Sequence, residues 1–329
     1  MMRRLLLPLT PLYSAVTTAK NAAFDHGWAK ARQLQRPVIS VGNISAGGAG
    51  KTPFVICLAK LLTMQGVHVD VLSRGYGRNS DAVERVDPGG SADRFGDEPL
   101  LIAQSVQVPV YLGSSRYDAG LLAERDGSGT GVHLLDDGFQ HRKLARNVDI
   151  VLLHRSDFRE TLLPAGRMRE RLSALHRASI LIMREEDADF EPKLKQRGID
   201  KPIWWITRSI IVPKNAGRVL AFCGIAHPEE FFESLGRSGV EIAATHAFRD
   251  HHAYSAADIE QLQQAARLHS ADTLLTTEKD FVRLSPEQRK AFASVASLKI
   301  VKLEARLRDE AAALSQLGTL LPVIFKRAL

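Results

Sequence analysis

The residues that most clearly suggest a chemical function are a lysine and a threonine at the end of a glycine-rich stretch, Ser45-Ala46-Gly47-Gly48-Ala49-Gly50-Lys51-Thr52. An apolar run precedes the stretch, and apolar residues at helical spacing follow it: Val55, Leu58, Ala59 and Leu62. A strand, a glycine loop and a helix in this order are typical of a phosphate-binding loop, whose backbone N–H groups bind phosphate oxygens. In such a loop Lys51 reaches the β- and γ-phosphates of ATP, and the Thr52 hydroxyl binds Mg²⁺.

The loop departs from the usual phosphate-binding pattern at one position. The pattern G-x-x-x-x-G-K-[ST] begins with glycine, and Ser45 occupies that position here. Gly47, Gly48 and Gly50 still give the backbone the freedom that close approach to a phosphate requires. A glycine turn with an incidental Lys-Thr pair is the alternative, and the flanking strand and helix make it the weaker interpretation.

Two acids end a later apolar run, where Asp136 and Asp137 follow Val132-His133-Leu134-Leu135. In P-loop proteins an acid at such a strand end organises the Mg²⁺ shell, so Asp136, Asp137 and Thr52 are candidate magnesium ligands. Strand ends often carry Asp before a turn, and the pattern therefore gains its meaning only in combination with the glycine loop.

Another acidic pair, Asp97 and Glu98, opens a helix predicted to continue over 100–104. Acids at a helix N-terminus are favoured by the helix dipole alone, which is one interpretation. In the other, one carboxylate lies beside the γ-phosphate and accepts the proton of a hydroxyl group. The residues themselves support both interpretations equally.

Two adjacent histidines, His251 and His252, lie in a polar loop before a helix predicted from Ala256. Histidines in such a loop are usually solvated. If one of them faces the cleft, it could orient a carboxylate that acts as a base.

The composition of the chain limits the kinds of ligand and of cellular compartment that we expect for it. The formal net charge of +7 fits nucleic acid, an anionic membrane or a phosphorylated substrate. Nucleic acid is the weakest of the three, because the chain has no long run of like charge and no zinc-finger or RNA-recognition signature. The only two cysteines, Cys57 and Cys223, argue against a disulfide framework or a zinc site and fit a reducing compartment.

Short apolar runs alternate with helical patterns from Val38 to about Ile210, which predicts a mostly parallel sheet covered by helices on both faces. This is an α/β fold of the P-loop NTPase-like kind, with ligands at the carboxyl ends of the strands. A turn-rich stretch at 211–217 predicts a boundary. We therefore expect a P-loop domain over 37–212 and a smaller C-terminal α/β domain over 213–329 that closes over the cleft.

Residues 1–36 are basic and apolar, with Asp25 as the only acid. The run Leu5-Leu6-Leu7-Pro8-Leu9 is too short to span a bilayer, which needs ~20 residues. A secretory signal is disfavoured because the P-loop begins soon afterwards and needs cytosolic ATP. The segment either lies in a membrane interface or packs on the core as a helix, and the sequence alone supports both.

With these motifs in view, the chain resembles the tetraacyldisaccharide 4′-kinases of the lipid A pathway over nearly its full length. The motifs that carry the resemblance, in one order, are Val41-Gly42-Asn43 through Thr52-Pro53, Ser73-Arg74-Gly75-Tyr76-Gly77, Gly96-Asp97-Glu98-Pro99, Leu135-Asp136-Asp137-Gly138-Phe139-Gln140-His141, Leu163-Pro164-Ala165-Gly166, Phe248-Arg249-Asp250-His251 and Thr277-Glu278-Lys279-Asp280. The family also lacks the first P-loop glycine, so that Ser45 is typical of it.

The resemblance implies that ATP phosphorylates the 4′-hydroxyl of a tetraacylated glucosamine disaccharide 1-phosphate, a step of lipopolysaccharide synthesis. It also implies a location at the cytoplasmic face of the inner membrane of a Gram-negative bacterium, with residues 1–36 contacting that membrane. No nucleic acid and no obligate protein partner are expected.

The resemblance also assigns roles to residues. Residues 45–52 would bind ATP, and Lys51 would neutralise developing phosphate charge. Asp97 would be the base, with His251 as its partner. The remaining assignments are Thr52, Asp136, Asp137 and Glu98 for Mg²⁺ or its water shell, and Tyr76, His141 and Arg169 for the sugar and its phosphate.

Two alternatives remain open. One is a membrane-associated P-loop ATPase that acts as a switch and phosphorylates nothing. The other is a soluble kinase for a small metabolite, which would not need the N-terminal segment. A requirement for an acylated disaccharide would separate both from the lipid kinase.

Overall fold

The computed structural model describes residues 2–48, 50–78, 80–127 and 130–322, and for residues 2–5 it describes the backbone alone. Twelve strands in these residues form one sheet. Their bounds are β1 (Val38–Asn43), β2 (His68–Ser73), β3 (Glu84–Arg85), β4 (Val110–Leu112), β5 (Gly131–Asp136), β6 (Val148–Leu152), β7 (Ile180–Arg184), β8 (Ile203–Ile211), β9 (Arg218–Cys223), β10 (Glu241–Ala247), β11 (Thr273–Thr277) and β12 (Ser297–Leu307).

Helices cover both faces of this sheet. The α-helices are α1 (Thr10–Asp25), α2 (Lys51–Met64), α3 (Ala92–Phe95), α4 (Asp97–Ser105), α5 (Arg116–Asp126), α6 (Glu191–Gln196), α7 (Pro228–Arg237), α8 (Ala256–Leu268), α9 (Glu278–Arg283), α10 (Pro286–Phe292) and α11 (Glu310–Leu320). Short 3₁₀ helices cover Met2–Leu9, Arg155–Phe158, Leu172–Arg177 and Glu185–Phe190.

The strand order is β10-β9-β11-β12-β8-β7-β6-β1-β5-β2-β4-β3. Two pairings are antiparallel, β12 with β8 and β3 with β4, and the other pairings are parallel. Because β1 lies between β5 and β6, the loop after β1 and the two acids at the end of β5 emerge at the same edge of the sheet. The mostly parallel sheet flanked by helices confirms the predicted fold class.

Strand β8 joins two halves of the sheet, the first formed by β1 to β7 and the second by β9 to β12. Its first residues pair with β7, with Leu181 opposite Ile203. Its later residues pair with β12, whose other neighbour is β11. Helix α11 then returns to the first half, where Ala313 and Leu317 are buried in the core that also contains the apolar face of α2. The predicted boundary near residue 212 coincides with the end of β8, and the division into domains stays a prediction.

The helix after the glycine loop forms as its spacing predicts. Val55, Leu58, Ala59 and Leu62 are all buried on α2 and belong to the largest core cluster. At 25 cal/mol per Å², burying such aliphatic side chains stabilises the fold by about 1.5–3 kcal/mol each. Their burial fixes the start of α2, and with it Lys51, against the sheet.

The N-terminal helix packs along one side only. Ser14 is the buried residue of α1, whereas the side chains of Leu12 and Val16 are 65% and 62% exposed. Among the described residues, no helix is both long and apolar enough to cross a bilayer. The structure therefore combines features of both sequence interpretations, a helix held against the core and an apolar surface facing outward.

Candidate active site

A cleft of about 1330 Å³ lies where the two halves of the sheet meet. The first half contributes the glycine loop, the start of α4, and Asp136 and Asp137 at the end of β5. The second half contributes the loop before α8 and the start of α9. The predicted site residues that reach this cleft do so from three kinds of position: helix starts (Lys51, Thr52, Asp97 and Glu98), the end of β5 (Asp136 and Asp137) and loops (Gly47, Gly48, Gly50, Tyr76, His141, Arg169 and His251).

The glycine loop leads directly into α2. Gly50 precedes the helix with φ of 82°, a left-handed conformation that a side chain would strain. The Lys51 ammonium donates to Asn43 Oδ1 at 3.1 Å and lies 3.5 Å from Asp137 Oδ1. Thr52 is buried at the cleft wall. Lys51 is therefore held by side chains at the ends of β1 and β5.

The rest of the loop is anchored at its start. The Ala46 N–H donates to the Arg167 carbonyl at 2.7 Å, and Ser45 forms an isolated bridge with Met168. Gly47 and Gly48 line the cleft. Ala49 lies outside the described residues.

Asp136 differs from the other acids of the cleft because no cationic side chain is paired with its carboxylate in the residues that the structure describes. It is buried, its Oδ2 accepts from the Ser73 hydroxyl at 3.0 Å, and its Oδ1 has no hydrogen-bond partner among the described residues. Burial, reinforced by the nearby Glu98 and Asp137 carboxylates, raises the pKa of Asp136 to about 7. A buried carboxylate oxygen without a donor is a ready ligand for a cation.

Asp137 and Glu98 are each paired with cations. The Arg169 guanidinium donates to Asp137 Oδ1 and Oδ2 at 2.9 and 2.8 Å. Lys279, at the start of α9, forms a close ion pair with Glu98 Oε1. Although burial opposes ionisation, Lys51 and Arg169 hold the pKa of Asp137 below its usual value, and Lys279 does the same for the pKa of Glu98.

These groups fit a magnesium ion that is shared with a phosphate ligand. In the described part of the chain, no three His, Cys, Asp or Glu side chains are arranged to hold a metal by themselves. Mg²⁺ at phosphoryl-transfer sites is usually held by one or two carboxylates together with substrate phosphates. The unpartnered Asp136 Oδ1 and the Thr52 hydroxyl at the same cleft supply donors of the required type.

Asp97 lies at the first residue of α4 and meets the second half of the molecule. Its Oδ2 accepts from Arg283 Nε at 2.9 Å and lies 2.9 Å from His251 Nδ1. Gly96, with φ of 84°, lets the start of α4 pack against the loop after β2, since a Cβ there would lie 3.0 Å from the Tyr76 carbonyl oxygen. Burial opposes ionisation of Asp97, but His251 and Arg283 together lower its pKa well below the usual value.

His251 is held in an unusual backbone conformation. Its φ is 58°, which is uncommon for a residue with a side chain, and its N–H donates to the Gly224 carbonyl at 3.1 Å. Its ring lies edge-on to Tyr76, with 5.8 Å between ring centroids. The Asp97 carboxylate raises the pKa of His251. The structure thus favours the second sequence interpretation, in which one histidine of the pair faces the cleft; His252 instead contacts Asp258 at 3.1 Å.

The three residues expected to contact the sugar occupy different places around the cleft. Tyr76 is exposed at its edge beside His251. His141 lines it near Arg116, and burial together with that guanidinium lowers the pKa of His141 to about 4, so its ring is neutral near pH 7. Arg169 lines the cleft as well, while its guanidinium is engaged by Asp137.

Sequence reasoning missed Arg283. It ends α9, three residues after Asp280, in the turn that follows the Thr277-Glu278-Lys279-Asp280 motif. Its guanidinium connects Asp97 to the Gly224 carbonyl and to Asp280 Oδ1, at 2.7 and 3.0 Å for the latter two. The signal available was the helical spacing of Arg283 from a recognised motif, which places both on one helix face.

A glycine loop after an inner parallel strand, a Lys-Thr pair at the start of the next helix and two acids at the end of the neighbouring strand define a P-loop NTPase-like protein. The model of a family described as tetraacyldisaccharide-1-P 4′-kinase matches residues 2–321. The chain belongs to this family.

Individual relatives agree with this membership. The chain is 44% identical over 321 residues to a tetraacyldisaccharide 4′-kinase of Koribacter versatilis, covering 94% of this chain and 97% of the relative. It is 39% identical to the Shewanella woodyi protein of the same name, over 85% of this chain and 80% of the relative. The crystal structure of the "apo" form of LpxK from Aquifex aeolicus in complex with ATP superposes with a TM-score of 0.79 at 32% identity, covering 97% and 99% of the two chains.

Proposed function

We propose that this protein transfers the γ-phosphoryl group of ATP to the 4′-hydroxyl of a tetraacylated glucosamine disaccharide 1-phosphate, in the assembly of lipid A. Family membership over residues 2–321 supports the reaction class. The likeness to an ATP-complexed relative supports ATP as the donor. The observation that carries the proposal is the Asp97–His251 pair, which faces the phosphate-binding loop across one cleft.

In the proposed reaction the 4′-oxygen attacks the γ-phosphorus, the bond to the β-phosphate oxygen breaks, and ADP leaves. Asp97 accepts the hydroxyl proton, and its hydrogen bond to His251 Nδ1 orients the carboxylate and shares that proton. Because the pKa of Asp97 is low, it is a weak base on its own. The pair is therefore needed as a unit.

Phosphate charge is neutralised from the opposite wall of the cleft. Lys51, already fixed by Asn43 and Asp137, is positioned to stabilise the negative charge that develops on the transferred group. Thr52, Asp136 and Asp137 would hold Mg²⁺, with Glu98 supporting the metal or its water shell, and the ion would supply charge neutralisation when bound.

The sugar and its 1-phosphate would bind near Tyr76, His141 and Arg169. All three line the cleft, and the neutral His141 ring can both donate and accept hydrogen bonds with sugar hydroxyls. The exposed apolar side chains of α1 support a location on the cytoplasmic face of an inner membrane, where the acyl chains of the substrate would remain. We also propose that residues 213–329 close over the bound substrates.

The test is phosphate transfer from γ-labelled ATP to the purified disaccharide 1-phosphate in mixed micelles. We expect a product labelled at the 4′-position with wild type. Lys51→Ala should lower turnover by several orders of magnitude, because one group that stabilises transition-state phosphate charge is worth ~3 kcal/mol or more.

The outcomes separate the alternatives. Hydrolysis of ATP that is indifferent to the disaccharide would favour an ATPase switch. Labelling of a small soluble acceptor but not of the disaccharide would favour a metabolite kinase. Wild-type turnover by Lys51→Ala would refute the assignment of the phosphate-binding loop.

A further inference from the structure

A partly buried arginine that the proposed reaction leaves without a role, Arg208, lies on the strand that joins the two halves of the sheet. Arg208 follows the residues of β8 that pair with β7, and it lies opposite Ala305 of β12. Its side chain lines the same cleft as the glycine loop. Arg208 is thus fixed by two strands at the junction of the halves, close to the loop of the first half.

Two donors of the Arg208 guanidinium lack a partner in the part of the chain that the structure describes. Its Nε and Nη1 are buried and have no hydrogen-bond partner within the described residues. The acids around it are engaged elsewhere: Arg184 lies 3.0 Å from Glu186 Oε1 and 3.9 Å from Glu230 Oε2. An unpaired buried cation is costly, and such a group is commonly compensated by a ligand of opposite charge.

The glycine loop lies against these donors. A Cβ atom on Gly50 would lie 3.4 Å from Arg208 Nη1 and 3.6 Å from Arg208 Nε, so that the guanidinium packs directly against the loop. Burial and the neighbouring Arg184 lower the pKa of Arg208 to about 10, and the side chain therefore remains a cation near neutral pH. Anionic oxygens bound by the loop would lie beside that cation.

We propose that Arg208 binds the polyphosphate of ATP, donating from Nε and Nη1 to phosphate oxygens held by the glycine loop. The inference rests on the proposed function, since it takes ATP as the ligand of the loop. A guanidinium suits this role because its fork of N–H donors matches phosphate oxygens and its charge strengthens each hydrogen bond. Since Arg208 belongs to β8, phosphate binding would also brace the strand that joins the two halves.

The test measures ATP binding without lipid, so that it does not depend on phosphate transfer. Calorimetric titrations with Mg·ATP would compare wild type, Arg208→Met, Arg208→Lys and Arg306→Met. Arg306 is a matched control, because it lies on β12 opposite Thr207 while its side chain is 70% exposed and outside the cleft. Thermal melting of each protein without nucleotide would report on folding.

We expect Arg208→Met to bind ATP at least about tenfold more weakly, Arg208→Lys to recover part of that loss, and Arg306→Met to bind like wild type. Without nucleotide, Arg208→Met should melt no lower than wild type, because the substitution removes a partly buried charge whose guanidinium has two unpartnered donors among the described residues. A structural role would instead lower the melting temperature.

Two results would overturn the inference. The first is an ATP affinity of Arg208→Met within about twofold of wild type. The second is weaker ATP binding by both Arg208 variants together with a lower melting temperature in the absence of nucleotide. Failure of the proposed function gives a different pattern. In that case wild type binds ATP and depends on Arg208 for it, yet transfers no phosphate to the disaccharide.

Discussion

At the scale of single residues, the four acids of the cleft differ in the cations beside them. Asp97, Glu98 and Asp137 each contact a cationic side chain, respectively Arg283, Lys279 and Arg169. Asp136 contacts only a serine hydroxyl among the described residues, and its pKa is raised to about 7. Groups whose environments push their pKa values apart usually have different tasks. The contrast fits the proposed roles, in which Asp136 is a metal ligand and Asp97 is the general base.

The Asp97–His251 pair gives the first prediction. Asp97→Ala and His251→Ala should each reduce kcat strongly and leave ATP affinity nearly unchanged, because neither residue belongs to the glycine loop. The double variant should be little worse than the poorer single variant, since residues acting as one unit give non-additive losses. The measurement is a double-mutant cycle on kcat at saturating lipid and ATP.

Two outcomes would contradict this view of the pair. Fully multiplicative losses would assign the two residues independent roles. A near-normal His251→Ala enzyme would reduce the histidine to a structural contact of the loop before α8.

Asp136 gives a prediction about pH in the metal-free protein. Its carboxyl has a pKa of about 7 in the folded protein, against an ordinary value of 3.8. The folded state therefore holds a proton that the unfolded chain loses, and the stability contributed by this site falls as pH rises from 3.8 towards 7. Asp136→Asn removes that loss, so in EDTA it should melt several degrees above wild type at pH values above 7.

The two melting curves should converge as the pH falls below 3.8, where the carboxyl becomes protonated in both states. Activity should nevertheless be lost in Asp136→Asn, because the neutral amide is a poor ligand for Mg²⁺. As a control, Ser73→Ala removes the hydroxyl that contacts Asp136 Oδ2 but keeps the carboxylate. If Asp136→Asn melts below wild type at high pH, Asp136 is compensated in the folded protein by groups other than those seen here.

At the scale of elements, the site is assembled by the starts of three helices. Lys51 begins α2, Asp97 begins α4, and α9 carries both Lys279 and Arg283. The ion pairs of Glu98 with Lys279 and of Asp97 with Arg283 connect α4 with α9 across the cleft. These helices therefore set the distance between the proposed base and the phosphate-binding loop.

Arg283 gives the prediction for this pair of helices. Asp97 and Arg283 are both buried, their side chains being 7% and 6% exposed. Removing one partner of a buried ion pair costs roughly 3–5 kcal/mol, because the other charge remains uncompensated. Arg283→Met should therefore lower the free energy of unfolding by an amount of that order, as measured by urea denaturation.

The matched comparison is the double variant Asp97→Asn with Arg283→Met, which leaves no unpaired charge on α4. It should be destabilised by less than the sum of the two single variants. Strict additivity would show that the contact between α4 and α9 contributes no coupling, although Asp280 also loses a donor when Arg283 is replaced.

The elements that the sequence predicts best are those with strong apolar patterns. Strands β1, β2, β5 and β6 lie within about two residues of their apolar runs, and α8 begins at Ala256 with Ser255 in a capping box. Strand β10 was missed because it is an edge strand of small, half-exposed residues, Glu241–Ala247. Strand β8 was missed because its later part alternates between half-buried and exposed positions.

Among the site residues too, those that a strong local pattern positions are the ones that the sequence predicts. Lys51, Thr52 and Asp136 could be placed from local motifs, because strand ends and helix starts determine where they lie. The meeting of Asp97 with His251 depends on packing between residues 154 positions apart, which no local pattern contains. Arg208 has neither a motif nor a periodic signal, and only the pairing of β8 with β12 places it beside the glycine loop.

At the scale of the whole molecule, the N-terminal helix lies next to the cleft. The Tyr13 hydroxyl of α1 donates to the Arg169 carbonyl at 3.0 Å, and Lys20 donates to the Gln140 carbonyl at 3.1 Å. The same helix exposes Leu12 and Val16 one turn apart. A membrane contacted by these residues would thus lie near the site where an acylated sugar must bind.

This arrangement predicts that vesicle binding depends on the exposed face of α1. Replacing Leu12 and Val16 together by serine should weaken binding to vesicles of phosphatidylglycerol and phosphatidylethanolamine by at least about tenfold, because each aliphatic side chain contributes about 1.5–3 kcal/mol when fully buried. Removing residues 1–20 should weaken it further, since basic residues near an anionic surface add about 1 kcal/mol each. Reversing Arg3 and Arg4 tests that charge directly, although their side chains lie outside the described residues.

The control for the apolar substitution is Leu268→Ser, because Leu268 is 79% exposed at the end of α8, in the other half of the sheet. Flotation assays at low and high salt would separate the apolar contribution from the charge contribution, which salt screens. With the α1 variant the apparent KM for the lipid should rise while kcat at saturating lipid in detergent micelles stays near wild type. If vesicle binding is unchanged in the α1 variant, the helix serves only to cover Arg169 and Gln140, and the membrane must be reached through another surface.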